Sequence, residues 1–402
     1  MRETMNSREQ FHNIQTILFD MDGVVTSEEE YWLAAELTVL ELLYSKQFVG
    51  LENDVLRTVL FKPGRAVSVD KFVSPKFIGM LKSNGVNSNW DLCFFSVAIY
   101  LVELLFTARD SGILKRVADQ GFCEETLRAL GEALPNRRKY LEHINHASAF
   151  FHQFYKKWRQ GSEAADVSDP SARSALFERG VNQWLAERTG IEAPLFARGN
   201  DFWELCRILF QERFLGDTLF DQEESGRRSQ MFKDGLINYE MPIIPLNRII
   251  DALGLLKDAG LTLGVATGRP YREIMIPLEK WGLLHFFDRE RIATHREMKL
   301  AEQALASQSA SSLAKPHPFI YLRSLYPEKS DAEILEISLP LAQGDKVLVV
   351  GDSAADLLAA KAMGCPCAVV MTGVSDLEAA HYLKSLDPEF VLEDVSSIKD
   401  LF

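Results

Sequence analysis

The chain has 402 residues, more than the roughly 50 to 250 residues of most single domains, so we expect two domains. Its composition is 47% hydrophobic and 25% charged, which argues against wholesale disorder, collagen-like repeats and a protein with many membrane spans. The net charge is −13 at pH 7, and a surface this acidic does not favour nucleic acid or an anionic membrane as a partner. A small anionic substrate remains compatible, because a local site can oppose the overall charge.

The cysteine pattern and the N-terminal residues indicate where the protein resides. Five cysteines are scattered along the chain without a CxxC pair, so neither a disulfide framework nor a structural zinc site is expected. The first 15 residues are polar and lack the apolar core of a signal peptide. The apolar run Leu92–Val102 is too short to span a bilayer of roughly 30 Å and is predicted to be a buried helix. We therefore expect a cytoplasmic protein.

The first apolar run of the chain ends in acidic residues, TILFDMDGVVT, and lies between Gln15 and Thr26. Short apolar runs of this kind return after Pro242. They predict buried strands at Leu261–Ala266, Arg291–Thr294, Lys346–Val350, Cys367–Met371 and Glu389–Leu392. Helical periodicity lies between them, at Leu246–Ala259, Tyr271–Trp281 and Ala354–Met363. Apolar strands that alternate with helices predict an α/β fold, a parallel sheet covered on both faces.

The segment between Thr26 and Pro242 is predicted to be helical. It opens with Ser27, a candidate N-cap residue, and Glu30 lies three residues later, which is the spacing of a capping box. Further helices are predicted at Trp90–Thr107, Glu124–Ala133, Arg137–Arg159, Ser171–Arg188 and Asp201–Phe214. We interpret residues 27–241 as an all-helical domain inserted after the first strand of a core formed by residues 1–26 and 242–402.

The first segment that carries chemistry is the Asp20-Met21-Asp22-Gly23 sequence after the first strand. Two carboxylates at this spacing can project together at the carboxyl edge of a sheet, where open α/β sheets bind their ligands. One can act as a nucleophile while the other transfers a proton. Since Asp and Gly are also common in turns, an ordinary turn remains the alternative.

The second and third segments offer groups that bind anions. Thr267 and Gly268 follow a predicted strand and can present a hydroxyl and a backbone N–H to a phosphate, the alternative being a threonine that caps a helix. Lys315, held before Pro316, can place one positive charge at the same group. A solvated lysine without a role is the alternative.

The fourth segment, GDSAAD, follows another apolar strand. Its Asp352 and Asp356 offer hard carboxylate oxygens, the ligands that Mg²⁺ prefers. The alternatives are that Asp352 caps the following helix and that Asp356 orients the loop and the lysine.

Taken in this order, the segments resemble the motifs of the haloacid dehalogenase-like (HAD) hydrolase superfamily. The resemblance rests on DMDGV, the strand before Thr267, Lys315 and GDSAAD, and it covers about residues 15–26 and 245–402. It implies a Rossmann-like parallel-sheet core, and the position of the insert corresponds to the family's type 1 cap. The insert itself shows no specific match.

The resemblance implies a role for each matching residue. Asp20 would attack phosphorus and form an aspartyl-phosphate, and Asp22 would protonate the leaving oxygen and then activate water. Thr267, the backbone near Gly268 and Lys315 would bind the phosphoryl group, whose transfer depends on positioning and on compensating its charge.

The resemblance also implies a Mg²⁺ ion held by Asp20, by the backbone carbonyl of Asp22 and by Asp352, with Asp356 in support. The expected activity is hydrolysis of a phosphomonoester, with a small phosphorylated metabolite as substrate. Asp22 argues against the dehalogenase branch. A phosphomutase similar to β-phosphoglucomutase and a non-catalytic binding or regulatory protein on the same scaffold remain alternatives, and the oligomeric state is left open.

Two groups of residues in the insert allow a second interpretation each. An aromatic group either forms a helical core or lines a pocket for a bulky leaving group: Phe150, Phe151, Phe154, Tyr155, Trp158, Trp184, Phe202, Trp203, Phe210 and Phe214. A group of arginines either lies on solvated faces or contacts a second anionic group of the substrate: Arg198, Arg207, Arg213, Arg227 and Arg228.

Overall fold

The computed structural model describes residues 13–52, 75–83, 86, 88–135, 153–156, 170–223, 233–305, 312–374 and 377–402. The chain divides into two compact units, one of Met1–Glu28 with Glu240–Phe402 and one of Glu29–Tyr239. We call them the α/β unit and the helical unit. Most of the predicted helix Arg137–Arg159 lies outside the described residues.

The α-helices are numbered in chain order. Those of the helical unit are α1 Glu29–Tyr44, α2 Pro75–Ser83, α3 Asn89–Thr107, α4 Ile113–Gln120, α5 Glu124–Ala133, α6 Pro170–Thr189 and α7 Asp201–Glu223. Those of the α/β unit are α8 Leu246–Asp258, α9 Tyr271–Lys280, α10 His295–Leu305, α11 Phe319–Leu325, α12 Asp331–Leu335, α13 Ala354–Met363 and α14 Leu377–Ser385. Short 3-10 helices occur at Arg109–Ser111, Leu236–Tyr239, Leu284–Phe286, Arg289–Arg291, Gly344–Lys346 and Val395–Leu401.

Within the described part of the chain, six strands form one sheet of the α/β unit. They are β1 Thr16–Phe19, β2 Thr262–Ala266, β3 Ile292–Ala293, β4 Val347–Gly351, β5 Cys367–Val370 and β6 Phe390–Leu392. Their order across the sheet is β3-β2-β1-β4-β5-β6, and every neighbouring pair is parallel. The predicted α/β fold with a parallel, Rossmann-like sheet is confirmed.

Alternation along β1 explains why both faces of the sheet are covered. Ile17 and Phe19 belong to a core that includes residues of α8 and α9, whereas Leu18 belongs to a second core with residues of α11 and α13. All three side chains are fully buried. Burial of such a side chain contributes about 1.5–3 kcal/mol, so a strand that is apolar on both faces is stable only between two helical layers.

The register of the central strands brings their following loops together. Phe19 at the end of β1 pairs with Val265 of β2 on one side and with Val350 of β4 on the other. The Asp20 N–H then donates to the Val350 carbonyl at 2.8 Å. Because the strands are parallel, the loops after β1, β2 and β4 leave the same edge of the sheet side by side.

The described elements of the helical unit are helices, and aromatic side chains fill their core. Phe122 of the α4–α5 connection, Phe196 of the α6–α7 connection and Phe202 of α7 have ring centroids within 6.3 Å of one another. Phe154 packs edge to face on Trp184 of α6 at 6.2 Å. These contacts favour the core interpretation of the aromatic group; Phe150, Phe151 and Trp158 lie outside the described residues.

Helix α3 contains the apolar run Leu92–Val102 and is longer than that run, with 19 residues. By length and composition alone the whole helix could cross a membrane, although the run Leu92–Val102 within it is too short to do so. Its mean hydropathy is 1.7 over an 18-residue window, and 78% of that window is buried. Such burial is typical of a core helix, which is the structure predicted for this run.

Helix α1 begins at Glu29, two residues after Ser27, and the Ser27 N–H donates to the Met241 carbonyl. Within α7 the backbone of Gly216 is not helical, with φ 75° and ψ 165°, so the helix predicted to end at Phe214 ends at this kink and a second helical stretch follows to Glu223. A Cβ at Gly216 would lie 2.4 Å from the Gly235 nitrogen, so only glycine permits this approach.

The described arginines of the predicted anion-binding group pair with carboxylates of their own unit. Arg198 lies 2.7 Å from Asp91 and 3.0 Å from Glu178, and Arg207 lies 2.8 Å from Glu204. The remaining described arginine, Arg213, is buried and lies 2.8 Å from Glu41, so solvation was the wrong interpretation for it. Arg227 and Arg228 lie outside the described residues.

A substitution of Gly264 in β2 tests the packing between the sheet and α11. A Cβ there would lie 2.6 Å from Ser324 Oγ and 3.0 Å from Leu18 Cδ2. We expect Gly264→Ala to lower the free energy of unfolding by about 1–3 kcal/mol, because both neighbours are in the core. Urea denaturation measures the change.

Gly254 in α8 provides the matched control, since a Cβ there meets only Phe286 Cε1 at 3.9 Å. Gly254→Ala should raise the free energy of unfolding by about 0.5–1 kcal/mol through helix propensity. Equal effects of the two substitutions would contradict the packing described for β2.

Candidate active site

The loop after β1 holds two acidic residues in a tight conformation. The Val25 and Thr26 N–H groups both donate to the Met21 carbonyl at 2.9 Å, and the Gly23 N–H donates to the Thr26 carbonyl at 2.9 Å. Gly23 has φ 71°, in the left-handed region that glycine adopts without strain. These bonds close the loop on itself at the end of the strand.

Lys315 lies between two buried carboxylates of this edge. Its Nζ is 2.8 Å from Asp20 Oδ1 and 2.9 Å from Asp356 Oδ1. Burial acts to lower the pKa of Lys315, but the charges of Asp20 and Asp356 raise it above its ordinary value. The lysine therefore stays protonated, and the alternative of a solvated lysine without a role is excluded.

Asp356 on α13 supports the lysine rather than standing free. Its Oδ1 accepts from the Tyr321 hydroxyl at 2.7 Å, and its Oδ2 accepts from the Ser353 N–H at 3.1 Å and the Ser353 hydroxyl at 2.7 Å. Burial acts to raise the pKa of Asp356, but Lys315 and these hydrogen bonds bring it below the usual value. The interpretation that Asp356 orients the loop and the lysine agrees with these contacts.

Asp20 is a carboxylate of this edge whose pKa is raised by burial. Desolvation raises its pKa to about 7, with Asp356 and Asp22 acting in the same direction and Lys315 in the opposite one. An ionised Asp20 therefore requires positive charge nearby. The charge of Lys315 is shared, because this lysine also forms an ion pair with Asp356.

Asp20, Asp352 and Asp356 form a cluster in which one oxygen of each lies within 4.8 Å of the others. Asp352 does not cap α13, because the N-cap of that helix is Ser353. Its Oδ2 lies where a Cβ would extend from Gly23 or Gly373, at 2.2 Å and 1.8 Å. Two glycines thus make room for one carboxylate.

The cluster fits the predicted Mg²⁺. Its donors are hard carboxylate oxygens, which this ion prefers, and one of them has a pKa raised by burial, which a cation would lower. Asp356 is engaged by Lys315, Tyr321 and Ser353, and the side chains that the resemblance assigns to the ion, Asp20 and Asp352, belong to the same cluster. The Asp22 side chain lies outside the cluster, and the prediction for Asp22 concerned only its backbone carbonyl.

Asp22 forms an ion pair with Arg269 instead. The Arg269 Nε donates to Asp22 Oδ1 at 2.8 Å, and the Thr26 hydroxyl lies 3.0 Å from the same oxygen and 2.9 Å from the Met21 carbonyl. Arg269 is 2% exposed and the Asp22 side chain is 23% exposed. The carboxylate is therefore held from its buried side and open on the other.

Thr267 and Gly268 follow β2 at the same edge. Thr267 is buried, and its hydroxyl accepts from the Arg269 N–H at 3.2 Å. It is not the cap of α9, whose N-cap is Pro270 without a side-chain hydrogen bond. The space where a Cβ would extend from Gly268 is open to 4 Å among the described residues. Their binding of phosphate remains a prediction.

Some residues of the site carried no role in the sequence prediction. Arg269 belongs to the quoted Thr267 segment, but its partner lies 247 positions away and no local pattern reveals it. Tyr321 and Gly373 lie in unremarkable sequence. The role of Ser353 could have been predicted from the sequence, because a serine three residues before an acidic residue has the spacing of a capping box.

Glu240 is a further buried carboxylate, 1% exposed, and it forms an ion pair with Arg269. Burial raises its pKa to about 7, against the lowering effect of Arg269. Between its ordinary value of 4.5 and about 7, the folded protein therefore binds a proton that the unfolded chain has lost.

We expect the stability that Glu240 contributes to be complete below about pH 4.5 and to be lost as the pH rises through about 7. The free energy of unfolding of the wild type should fall relative to Glu240→Gln by up to roughly 3 kcal/mol across this range. Urea denaturation at several pH values measures the difference, with the exposed Glu290→Gln as control. A difference that is constant with pH would show that Glu240 is ionised throughout.

Comparison with known proteins gives a family match and structural relatives. Residues 312–398, which contain Lys315, Asp352 and Asp356, match the family described as HAD-hydrolase-like. None of the curated proteins matches the chain. The X-ray structure of a Northeast Structural Genomics Consortium target is 27% identical, covers 96% of this chain and 98% of its own, and has a TM-score of 0.71. It shares the fold along the length of both chains.

Two more distant structures have names that refer to an activity. A protein described as a phosphatase from Clostridium difficile is 14% identical, with 97% of this chain and 98% of its own covered and a TM-score of 0.38. One described as a β-phosphoglucomutase from Thermotoga maritima is 16% identical, with 96% and 98% covered and a TM-score of 0.34.

The family match includes Lys315 and the GDSAAD segment. Both lie at the edge of the sheet where Asp20 and Thr267 follow their strands. Residues 312–398 match the HAD-hydrolase-like family, and the chain as a whole shares the fold of the 27% identical structure.

Proposed function

We propose that the protein is a Mg²⁺-dependent phosphatase that hydrolyses the phosphomonoester of a small metabolite through an aspartyl-phosphate. One observation carries the proposal: Lys315 bridges Asp20 and Asp356 beside Asp352, at the edge where β1 and β4 end. A buried carboxylate, a protonated lysine and a neighbouring carboxylate cluster are what in-line phosphoryl transfer requires.

In the first step, an oxygen of the Asp20 carboxylate attacks phosphorus. The new oxygen–phosphorus bond forms as the bond to the leaving oxygen breaks, and the leaving oxygen takes a proton from Asp22. Lys315 reduces the repulsion between the anionic nucleophile and the anionic ester, because its charge lies within 2.8 Å of Asp20.

In the second step, Asp22 accepts a proton from water while that water attacks the aspartyl-phosphate. The bond between phosphorus and Asp20 breaks, so inorganic phosphate leaves and the Asp20 carboxylate is restored. One residue can serve both steps because it ends the first step ionised.

We propose that the phosphoryl oxygens, which carry the charge during transfer, are bound by Thr267, by the N–H of Gly268 and by Lys315. Mg²⁺, when held by Asp20, Asp352 and the Asp22 carbonyl, would supply further positive charge at the same oxygens. The helical unit, inserted between the first and second motifs, is proposed as a type 1 cap that selects the substrate, and the cytoplasmic location remains a prediction.

Asp20→Asn should abolish phosphate release, because an amide is not a nucleophile. We expect turnover of an aryl phosphate and of a panel of phosphorylated metabolites to fall at least about 1,000-fold. The wild type should also lose activity when the metal is chelated and regain it when Mg²⁺ is added. Phosphate release at steady state is the measurement, and mass spectrometry of acid-quenched protein should detect a phosphoryl group on the wild type but not on the variant.

Asp251→Asn, an exposed aspartate of α8, is the control for the loss of a negative charge. It should leave turnover unchanged. Full activity of Asp20→Asn would remove Asp20 from the mechanism, and a wild type inactive on the whole panel would favour a binding role.

Gly373→Ala tests the position of Asp352, because the new Cβ would extend to within 1.8 Å of its Oδ2. Displacing the carboxylate should weaken Mg²⁺ binding about 10- to 100-fold, as changes to groups that support a ligand commonly do. Calorimetric titration of the protein with Mg²⁺ measures the affinity. Gly254→Ala, which meets no atom closer than 3.9 Å, should bind as the wild type does; an unchanged affinity of Gly373→Ala would remove Asp352 from the ligand set.

A further inference from the structure

The two oxygens of Asp22 have different surroundings. Among the described residues, every hydrogen bond that its carboxylate accepts goes to Oδ1, from Arg269 Nε at 2.8 Å and from Arg269 Nη2, while the Thr26 hydroxyl, with one hydrogen, lies 3.0 Å from this oxygen and 2.9 Å from the Met21 carbonyl. The two guanidinium bonds already engage both lone pairs of Oδ1, which leaves none for a proton. A proton carried by Asp22 therefore resides on Oδ2.

Arg269 is held in place by groups behind it. Its Nη1 donates to the Glu273 carbonyl at 3.3 Å and forms an ion pair with Glu240, while its Nη2 also donates to the Thr26 hydroxyl at 3.0 Å. Glu240 and Arg269 are both almost fully buried, at 1% and 2% exposed. A planar guanidinium with fixed partners on one side presents its remaining donors to Asp22 in one orientation.

The backbone ties these partners into one frame. The Thr26 N–H donates to the Met21 carbonyl at 2.9 Å, and Thr26 also pairs as an isolated antiparallel bridge with Pro242, two residues after Glu240. The loop of Asp22 and the segment that carries Glu240 are thus joined by the main chain and by Arg269. From this frame, the guanidinium of Arg269 and the hydroxyl of Thr26 both contact the Asp22 side chain.

We propose that Arg269 is a positioning residue that binds Oδ1 of Asp22 and thereby directs Oδ2 to the leaving oxygen and then to water. The inference rests on the proposed function, since it assigns the geometry of the same proton transfers. Arg269 exchanges no proton itself: the proton leaves Asp22 Oδ2 for the leaving oxygen and returns to Oδ2 from water.

The test compares two substrates that differ in their need for a proton. The value of kcat/KM reports the steps up to release of the leaving group. Nitrophenyl phosphate releases a stable phenolate without a proton, whereas an alkyl phosphate from the panel requires protonation by Asp22. A positioning role for Asp22 should therefore affect the alkyl phosphate far more than the aryl phosphate.

For Arg269→Gln we expect kcat/KM to fall about 100-fold on the alkyl phosphate and less than about tenfold on nitrophenyl phosphate, since a misplaced catalytic group costs about two orders of magnitude. Arg269→Lys should recover part of the loss, because it keeps one donor and the charge. Arg248→Gln, which removes the ion pair with Asp394 elsewhere in the α/β unit, should change neither value. Equal losses on both substrates would overturn the proposal, since a general structural defect acts on both.

A crystal structure of Arg269→Gln tests the same inference without turnover. We expect the Asp22 side chain to leave its present orientation while Lys315 stays between Asp20 and Asp356. An Asp22 that keeps its position would overturn the proposal. A wild type that hydrolyses neither substrate would count against the proposed function alone, and the orientation of Asp22 would still decide the role of Arg269.

Discussion

The site depends on one positive charge held among buried carboxylates. Lys315 contacts Asp20 at 2.8 Å and Asp356 at 2.9 Å, and all three side chains have little exposure to water. Burial alone would protonate the carboxylates and deprotonate the lysine, so each charge persists only because the others are present. Asp356 has further donors in Tyr321 and Ser353, whereas Asp20 has a pKa raised to about 7. The imbalance falls on the residue proposed to act as nucleophile, and it is the reason that a divalent cation suits this position.

The parallel sheet is what allows such a cluster to exist. Asp20, Thr267 and Asp352 are separated by up to 332 positions in the chain, but each follows a central strand within two residues. The strands are buried between two hydrophobic layers, and their carboxyl ends place the start of each functional loop at one edge. The helical unit interrupts the chain after the first of these loops without interrupting the sheet, because β1 pairs with β2 and β4 across the insertion.

Much of the sheet and the order of the motifs could be predicted from the sequence, because both are local. A run such as Lys346–Val350 is apolar throughout and matches β4 to within one residue at each end. The helix predicted to end at Phe214 does break two residues later, at the non-helical Gly216, but nothing local indicates that Gly235 approaches this glycine. The long-range partners were inaccessible for the same reason, as the pairing of Arg269 with Asp22 depends on how two loops meet.

These long-range partners divide the site into two charged groups with different chemistry. Lys315 and Asp356 surround Asp20 and govern its charge, whereas Arg269 and Glu240 lie behind Asp22 and govern its orientation. A nucleophile needs its charge stabilised, and a proton donor that must later accept a proton needs one oxygen fixed and the other open. A lysine between two carboxylates suits the first requirement, since it acts as a compact charge, and a planar guanidinium suits the second. The different choice of cation beside each aspartate therefore follows from the two different roles proposed for them.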